Sequence, residues 1–299
     1  MNLNELINLV PKIEVINDSE FNALGMATTI FNDEKVLAFL ADEKFLNAIC
    51  ENKNIVALIT TKEIYNKRII PENLGLVLAD NPKLFFYEIH NILSEREFYW
   101  KKFNNSIAES AVISDGAYIE DHSVIIGENS IIEPGVVVHS GSIIGDNVIV
   151  RSGSKIGTNG FQFLNVGDKV VSVKTGGRAI IKDNVEIQHN CCVDRGVLGG
   201  DTILFEYVKL DNFVHIAHDD IIGERTLITA GVKLAGRVII GSDCWIGVNA
   251  TITNGISIGN NSKITLGAVV TRSIPANSTV SGNFAIDHAK FIEFIKSIR

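Results

Sequence analysis

Leu204-Phe205-Glu206-Tyr207-Val208-Lys209-Leu210-Asp211-Asn212-Phe213-Val214-His215-Ile216 opens a run in which an aliphatic residue returns at every sixth position. The series is Leu204, Leu210, Ile216, Ile222, Ile228, Leu234, Ile240, Ile246, Ile252, Ile258, Ile264 and Val270. A period of six fits neither the helical turn nor the simple alternation of an isolated strand. It is an internal repeat, and it reads as a parallel β-helix: three six-residue rungs make one coil, and the inward aliphatics stack on those of the next coil. The same pattern starts earlier, at Ile107, Ile113 and Ile119. After one inserted residue it continues through Ile126, Ile132, Val138, Ile144, Val150 and Ile156. Between Ile156 and Ile181 it is interrupted by an inserted loop, 158–178. That loop carries Asn159-Gly160-Phe161 and closes on Thr175-Gly176-Gly177-Arg178. Insertions in such arrays project from one face and commonly serve as binding loops.

Composition agrees with this reading. Aromatic residues make up 7% of the 299 residues and glycines number 25, which suits a core of stacked branched aliphatics. The net charge of −8 speaks against a nucleic-acid partner, because a polyanion needs a basic face. Cys50, Cys191, Cys192 and Cys244 form no Cys-x-x-Cys pair, so zinc-knuckle and thioredoxin-like motifs are excluded. They read as reduced thiols of a cytoplasmic protein. The chain starts without the basic and apolar segments of a signal peptide, and no stretch is long enough to be a transmembrane segment.

Residues 1–100 lack the six-residue period. Apolar runs at 36–40, 55–59 and 74–78 read as strands, and 83–93, following Asn81-Pro82, as a helix. They predict a small α/β domain, followed by a β-helix domain over 101–283. A short amphipathic helix over 284–299 places Phe291, Ile292, Phe294, Ile295 and Ile298 at helical spacing.

Positions one coil apart stack, so Ile216 lies beneath Leu234 and Ile252. His218 falls near a corner, with Gly236 and Asn254 at the corresponding places of later coils. Both are compact and leave room beside the imidazole for a ligand running along the helix axis. His215 and His218 also invite a metal reading, but His189 falls on another face, no third in-register histidine completes a set, and no metal is expected.

Asn159-Gly160-Phe161, Val193-Asp194-Arg195-Gly196, Leu210-Asp211-Asn212 and Ile216-Ala217-His218 together resemble the UDP-3-O-acylglucosamine N-acyltransferases of lipid A biosynthesis (LpxD type). The resemblance implies a left-handed β-helix, a homotrimer with sites between subunits, and His218 as general base. Asp194 or Asp211 is the expected orienting carboxylate, with the choice left open. It further implies a uridine-binding N-terminal domain, in which Phe39 and Phe45 hold uracil and Asp42 stands where the family usually has Asn. Asn159, Phe161 and His215 complete the expected sugar-nucleotide contacts, and Gly236, Asn254 and Gly255 are expected to line the donor's track.

No permanent cofactor is implied; the donor is acyl-ACP (an acyl carrier protein thioester) or acyl-CoA. The acceptor is a UDP-amino sugar. Three departures bear on the donor: Gly255 replaces the family's second histidine, the C-terminal end is shorter, and Ile274-Pro275-Ala276-Asn277-Ser278-Thr279-Val280-Ser281-Gly282-Asn283 resembles the ending of acetyl-CoA-dependent hexapeptide acetyltransferases. An acetyl-CoA-dependent sugar acetyltransferase is therefore the alternative. A zinc-dependent hexapeptide hydratase and a non-catalytic scaffold are less favoured.

Overall fold

The computed structural model describes residues 1–10, 13–27, 34–282 and 285–298. Asn283, Phe284 and Arg299, at the bounds expected for the last two elements, lie outside the described residues. The chain forms two compact units. One comprises 1–104, 159–178 and 195–201; the other comprises 105–158, 179–194 and 202–299.

The first unit is built on a five-stranded sheet, ordered Glu14–Asn17, Gly75–Leu78, Ile55–Thr60, Val36–Leu40 and Ala23–Leu24. All neighbours are parallel except the edge strand Glu14–Asn17. Val36–Leu40 and Gly75–Leu78 are almost wholly buried, as continuous apolar runs in a parallel sheet should be. The helix Pro82–Glu95 starts where the sequence indicates. The Asn81 side chain accepts from the Leu84 N–H, and Pro82 occupies a first-turn position that needs no amide donor. It buries Phe85, Phe86, Ile89 and Leu93.

The interrupting segment is more than a surface loop. Its strands Phe163–Val166 and Lys169–Ser172 pair as an antiparallel hairpin, and Leu164 and Val173 are buried in the first unit's core with Phe86. Val197 and Leu198 join the same core, so a second excursion, 195–201, leaves the array as well. The sequence marks it only as a break in phase, from inward Val193 to inward Leu204 eleven residues on.

The second unit is a parallel β-helix of three sheets, with nine, eight and eight strands. Successive partners in a sheet lie one coil apart: Lys209 with Leu227, Leu227 with Trp245, Trp245 with Lys263. Each two-residue strand points one side chain in and one out. Thus Ile222, Ile228, Leu234, Ile240 and Ile246 are essentially inaccessible, while Leu227, Ile239 and Trp245 are exposed. The interior is a single cluster of Val, Ile, Leu, Ala and Cys side chains running the length of the unit. Cys191 and Cys244 belong to it, and burial pushes the Cys191 thiol up to about 11. The C-terminal helix, His288–Ser297, is capped by Asp287 and keeps Phe291 and Phe294 exposed.

Because inward residues carry the stacking, Ile240→Ala should cost about 2–5 kcal/mol through lost burial and the cavity left. The outward Ile239→Ala should stay within about 0.5 kcal/mol. Denaturation midpoints of the two variants, measured side by side, check this difference.

Candidate active site

The second excursion resets the register at the site. Partners across it lie 23 residues apart: Cys192 pairs with His215 and Val193 with Ile216. Leu210 pairs with Ile187 instead. Asp194 and Asp211 therefore stand on different faces of the coil, at strands of different sheets, and cannot both reach His218. Asp211 is spent on its own corner, where Oδ1 accepts from the Asn212 N–H (2.7 Å) and Oδ2 from the Ala230 N–H (3.1 Å). It does not orient His218.

The residue that does so is Asp219. Its Oδ2 lies 2.7 Å from His218 Nδ1. Asp219 sits at a corner with φ of 61°, in the left-handed region, and its N–H donates to Thr202 Oγ1 at 2.8 Å. Asp220, fully buried, then ties the turn down: Oδ2 accepts from the Ala217 N–H and Oδ1 from the Val238 N–H of the next coil. Burial holds the Asp220 carboxyl well above the usual carboxylate range.

A carboxylate on Nδ1 selects the tautomer with its proton there and leaves the Nε2 lone pair available. Nε2 of His218 has no hydrogen-bond partner among the described residues, and the side chain is 15% exposed. The ring lies over Gly236. A Cβ at 236 would fall 2.6 Å from both Cε1 and Nε2, so only glycine lets the imidazole rest there. The corner stack read from the sequence is present: His218 O accepts from the Arg237 N–H, and Gly236 O from the Gly255 N–H. Asn254 is exposed on the following turn, and Gly255 has a left-handed φ of 70° with open space beside it. The Ala235 N–H is taken by Ile252 O, whereas the Gly236 N–H has no partner among the described residues.

Asp194 is nearly inaccessible. Thr158 Oγ1 donates to its Oδ1 at 2.5 Å, and burial raises its pKa. His215 Nε2 is 3.8 Å from Asp194 Oδ2, beyond hydrogen-bond reach.

In the first unit, Asn159 and Phe161 do come together, in a cavity of about 490 Å³ also lined by Lys174, Thr175 and Arg195. Asn159 Oδ1 accepts from Arg195 Nη2 at 2.8 Å and from the Thr175 hydroxyl. Phe161, 88% exposed, meets Phe163 edge-on at 4.8 Å between centroids. The two phenylalanines expected to hold uracil have separate surroundings. Phe39 packs on Phe86, with centroids 5.1 Å apart, while Phe45 is exposed with the Lys44 ammonium 5.0 Å from its ring centre. Asp42 caps the short turn before Phe45 and pairs with Lys44, which holds its carboxyl below the usual range.

Comparison with known proteins agrees with the repeat. A model described as bacterial transferase hexapeptide (six repeats) matches residues 123–158, and one for the hexapeptide repeat of succinyl-transferase matches residues 237–272. A UDP-3-O-acylglucosamine N-acyltransferase of Fusobacterium nucleatum subsp. nucleatum is 33% identical, over 66% of this chain and 64% of its own length. The chain thus spans somewhat less than two thirds of that relative. The protein of the same name from Helicobacter hepaticus is 28% identical, over 95% of this chain and 90% of its own. Among solved structures, a Francisella novicida UDP-N-acetylglucosamine acyltransferase superposes with a TM-score of 0.51 at 25% identity, covering 60% of this chain and 65% of that one. The β-helix is of the left-handed class these enzymes share.

Gly236→Ala should push the imidazole off its seat while leaving the aliphatic stack intact. The expected result is a turnover loss of about 10²-fold, as for a catalytic group misplaced by about 1 Å, with an unchanged denaturation midpoint. Steady-state rates of folded variant and parent check it.

Proposed function

We propose that the chain, which resembles the hexapeptide-repeat acyltransferases of the UDP-3-O-acylglucosamine N-acyltransferase type, moves an acyl group from a thioester to the amine of a UDP-linked amino sugar. The observation that carries this reading is the His218–Asp219 pair, with Nδ1 held at 2.7 Å and Nε2 left free over Gly236. The amine nitrogen attacks the thioester carbonyl and loses its proton to His218 Nε2. Asp219 stabilises the imidazolium that forms. The oxyanion of the tetrahedral intermediate is met by the Gly236 N–H, an unpaired donor of the kind such intermediates need. Collapse breaks the C–S bond, and the proton on His218 passes to the departing thiolate.

The remaining assignments follow from the same reading. The first unit's cavity, with Asn159, Phe161, Lys174 and Arg195, is a nucleotide site. Asn254 and Gly255 border the donor's acyl and thioester end. The working assembly is a homotrimer, placed in the cytoplasm, where four free thiols remain reduced. Among the described residues no helix is long and apolar enough to cross a membrane.

Two donors are in play. That resemblance favours a hydroxyacyl chain on acyl carrier protein, for lipid A. A short acyl-CoA, for a surface polysaccharide sugar, is favoured by the C-terminal segment. There Thr279–Val280 joins the last coil.

Product mass after incubation with UDP-amino sugars and each donor in turn decides between them; no acylated product with either would contradict the reading. His218→Ala should lower turnover about 10²- to 10⁴-fold, the range for loss of a general base, with sugar-nucleotide binding retained. Unchanged turnover in that variant would remove His218 from the mechanism.

A further inference from the structure

The 23-residue register places three metal-ligating side chains together. Cys192 and Asp194 alternate along one strand, and His215 is paired directly across from Cys192. Cys192 Sγ is 3.6 Å from Asp194 Oδ1, His215 Nε2 is 3.8 Å from Asp194 Oδ2, and the three donor atoms lie within 4.8 Å of one another. We propose that Cys192, Asp194 and His215 form a binding site for a thiophilic divalent cation of the zinc class.

The donor set and its spacing argue for this directly. Around a tetrahedral zinc, ligand distances of about 2.0–2.3 Å put donor atoms roughly 3.3–3.6 Å apart. The two separations from Asp194, 3.6 Å to Cys192 Sγ and 3.8 Å to His215 Nε2, are close to this, and the latter is too long for a hydrogen bond. One thiol, one imidazole and one carboxylate make a mixed set typical of zinc rather than of magnesium or calcium, which favour oxygen alone. The Asp194 carboxylate is 5% exposed, and its partners are neutral donors: the Thr158 hydroxyl and the Cys192 thiol. A cation there offsets a charge that burial otherwise leaves poorly compensated. Thr158 Oγ1, hydrogen-bonded to Asp194 and 3.1 Å from Cys192 Sγ, orients both donors from the preceding coil. The half-exposed His215 side chain leaves the fourth position to water.

No third histidine is needed. The search for one among in-register positions stops at His189, while His215 meets the thiol and carboxylate through the 23-residue pairing across the excursion. His218 lies outside the group, whose mutually close donor atoms come from Cys192, Asp194 and His215.

The test uses the full chain, reduced and freed of metal, titrated with Co²⁺ and then Zn²⁺. One equivalent of Co²⁺ should produce thiolate-to-metal charge-transfer absorption that Zn²⁺ abolishes. The band should be lost in Cys192→Ser and His215→Gln and kept in Cys244→Ser. In the unmutated protein, one equivalent of Zn²⁺ should slow alkylation of Cys192 at least about tenfold, the loss a metal-bound thiolate shows, leaving Cys50 unaffected. Absence of the band at saturating Co²⁺, its persistence in Cys192→Ser, or unaltered alkylation of Cys192 would each overturn the site.

Discussion

The structure depends on one backbone constraint: the β-helix must bend every six residues, and it does so through residues with positive φ. Tyr207, Phe213, Asp219, Arg225, Gly231, Arg237, Asp243, Asn249, Gly255, Asn261 and Gly267 all adopt it. For a non-glycine residue this conformation costs about 1–2 kcal/mol. Each rung returns a buried Ile, Val or Leu, contributing about 1.5–3 kcal/mol. The corners persist because the stack beneath them compensates, which is why residues as poorly suited as Tyr207, Phe213 and Arg237 are found there. Asp219 occupies one of these corners. Its neighbour His218 stands just before the bend, so two residues adjacent in the chain face one another, as they would not in an extended strand. The His218–Asp219 pair is a consequence of how the coil turns.

Much of this was legible in the sequence. The inward aliphatics from Leu204 to Val270, the small α/β domain and the compact residue at 236 are where the period and the composition put them. Gly236 shows why a glycine matters here: the imidazole face occupies the space its Cβ would need. Three features were not legible. The destination of the excursion 195–201 was one: the step of eleven from Val193 to Leu204 breaks the period, but apolar Val197 and Leu198 do not show that they serve the first unit's core. Missing it puts Asp211 on the face that only Asp194 shares with His215. Asp219 was overlooked because alternation along a strand sends neighbours to opposite sides, and only the left-handed corner reverses that rule. The pairing of Phe39 with Phe86 was hidden because a helix, Pro82–Glu95, supplies the second ring from outside the motif.

The site therefore consists of groups with distinct origins. His218, Asp219 and Gly236 are products of one corner repeated in successive coils. Asp194, Cys192 and His215 meet because a seven-residue excursion shifts the pairing from 18 to 23 residues. Asp220 and Thr202 hold the turn from beneath without touching the imidazole nitrogens.

The central claim is that Asp219 fixes the His218 proton on Nδ1 and leaves Nε2 as the base. Nitrogen-15 NMR of imidazole-labelled protein, above the histidine titration, reads the tautomer directly. The account predicts a protonated Nδ1 and an unprotonated Nε2 for His218, with that preference lost in Asp219→Ala. A His218 resonance protonated on Nε2 in the parent protein would contradict it.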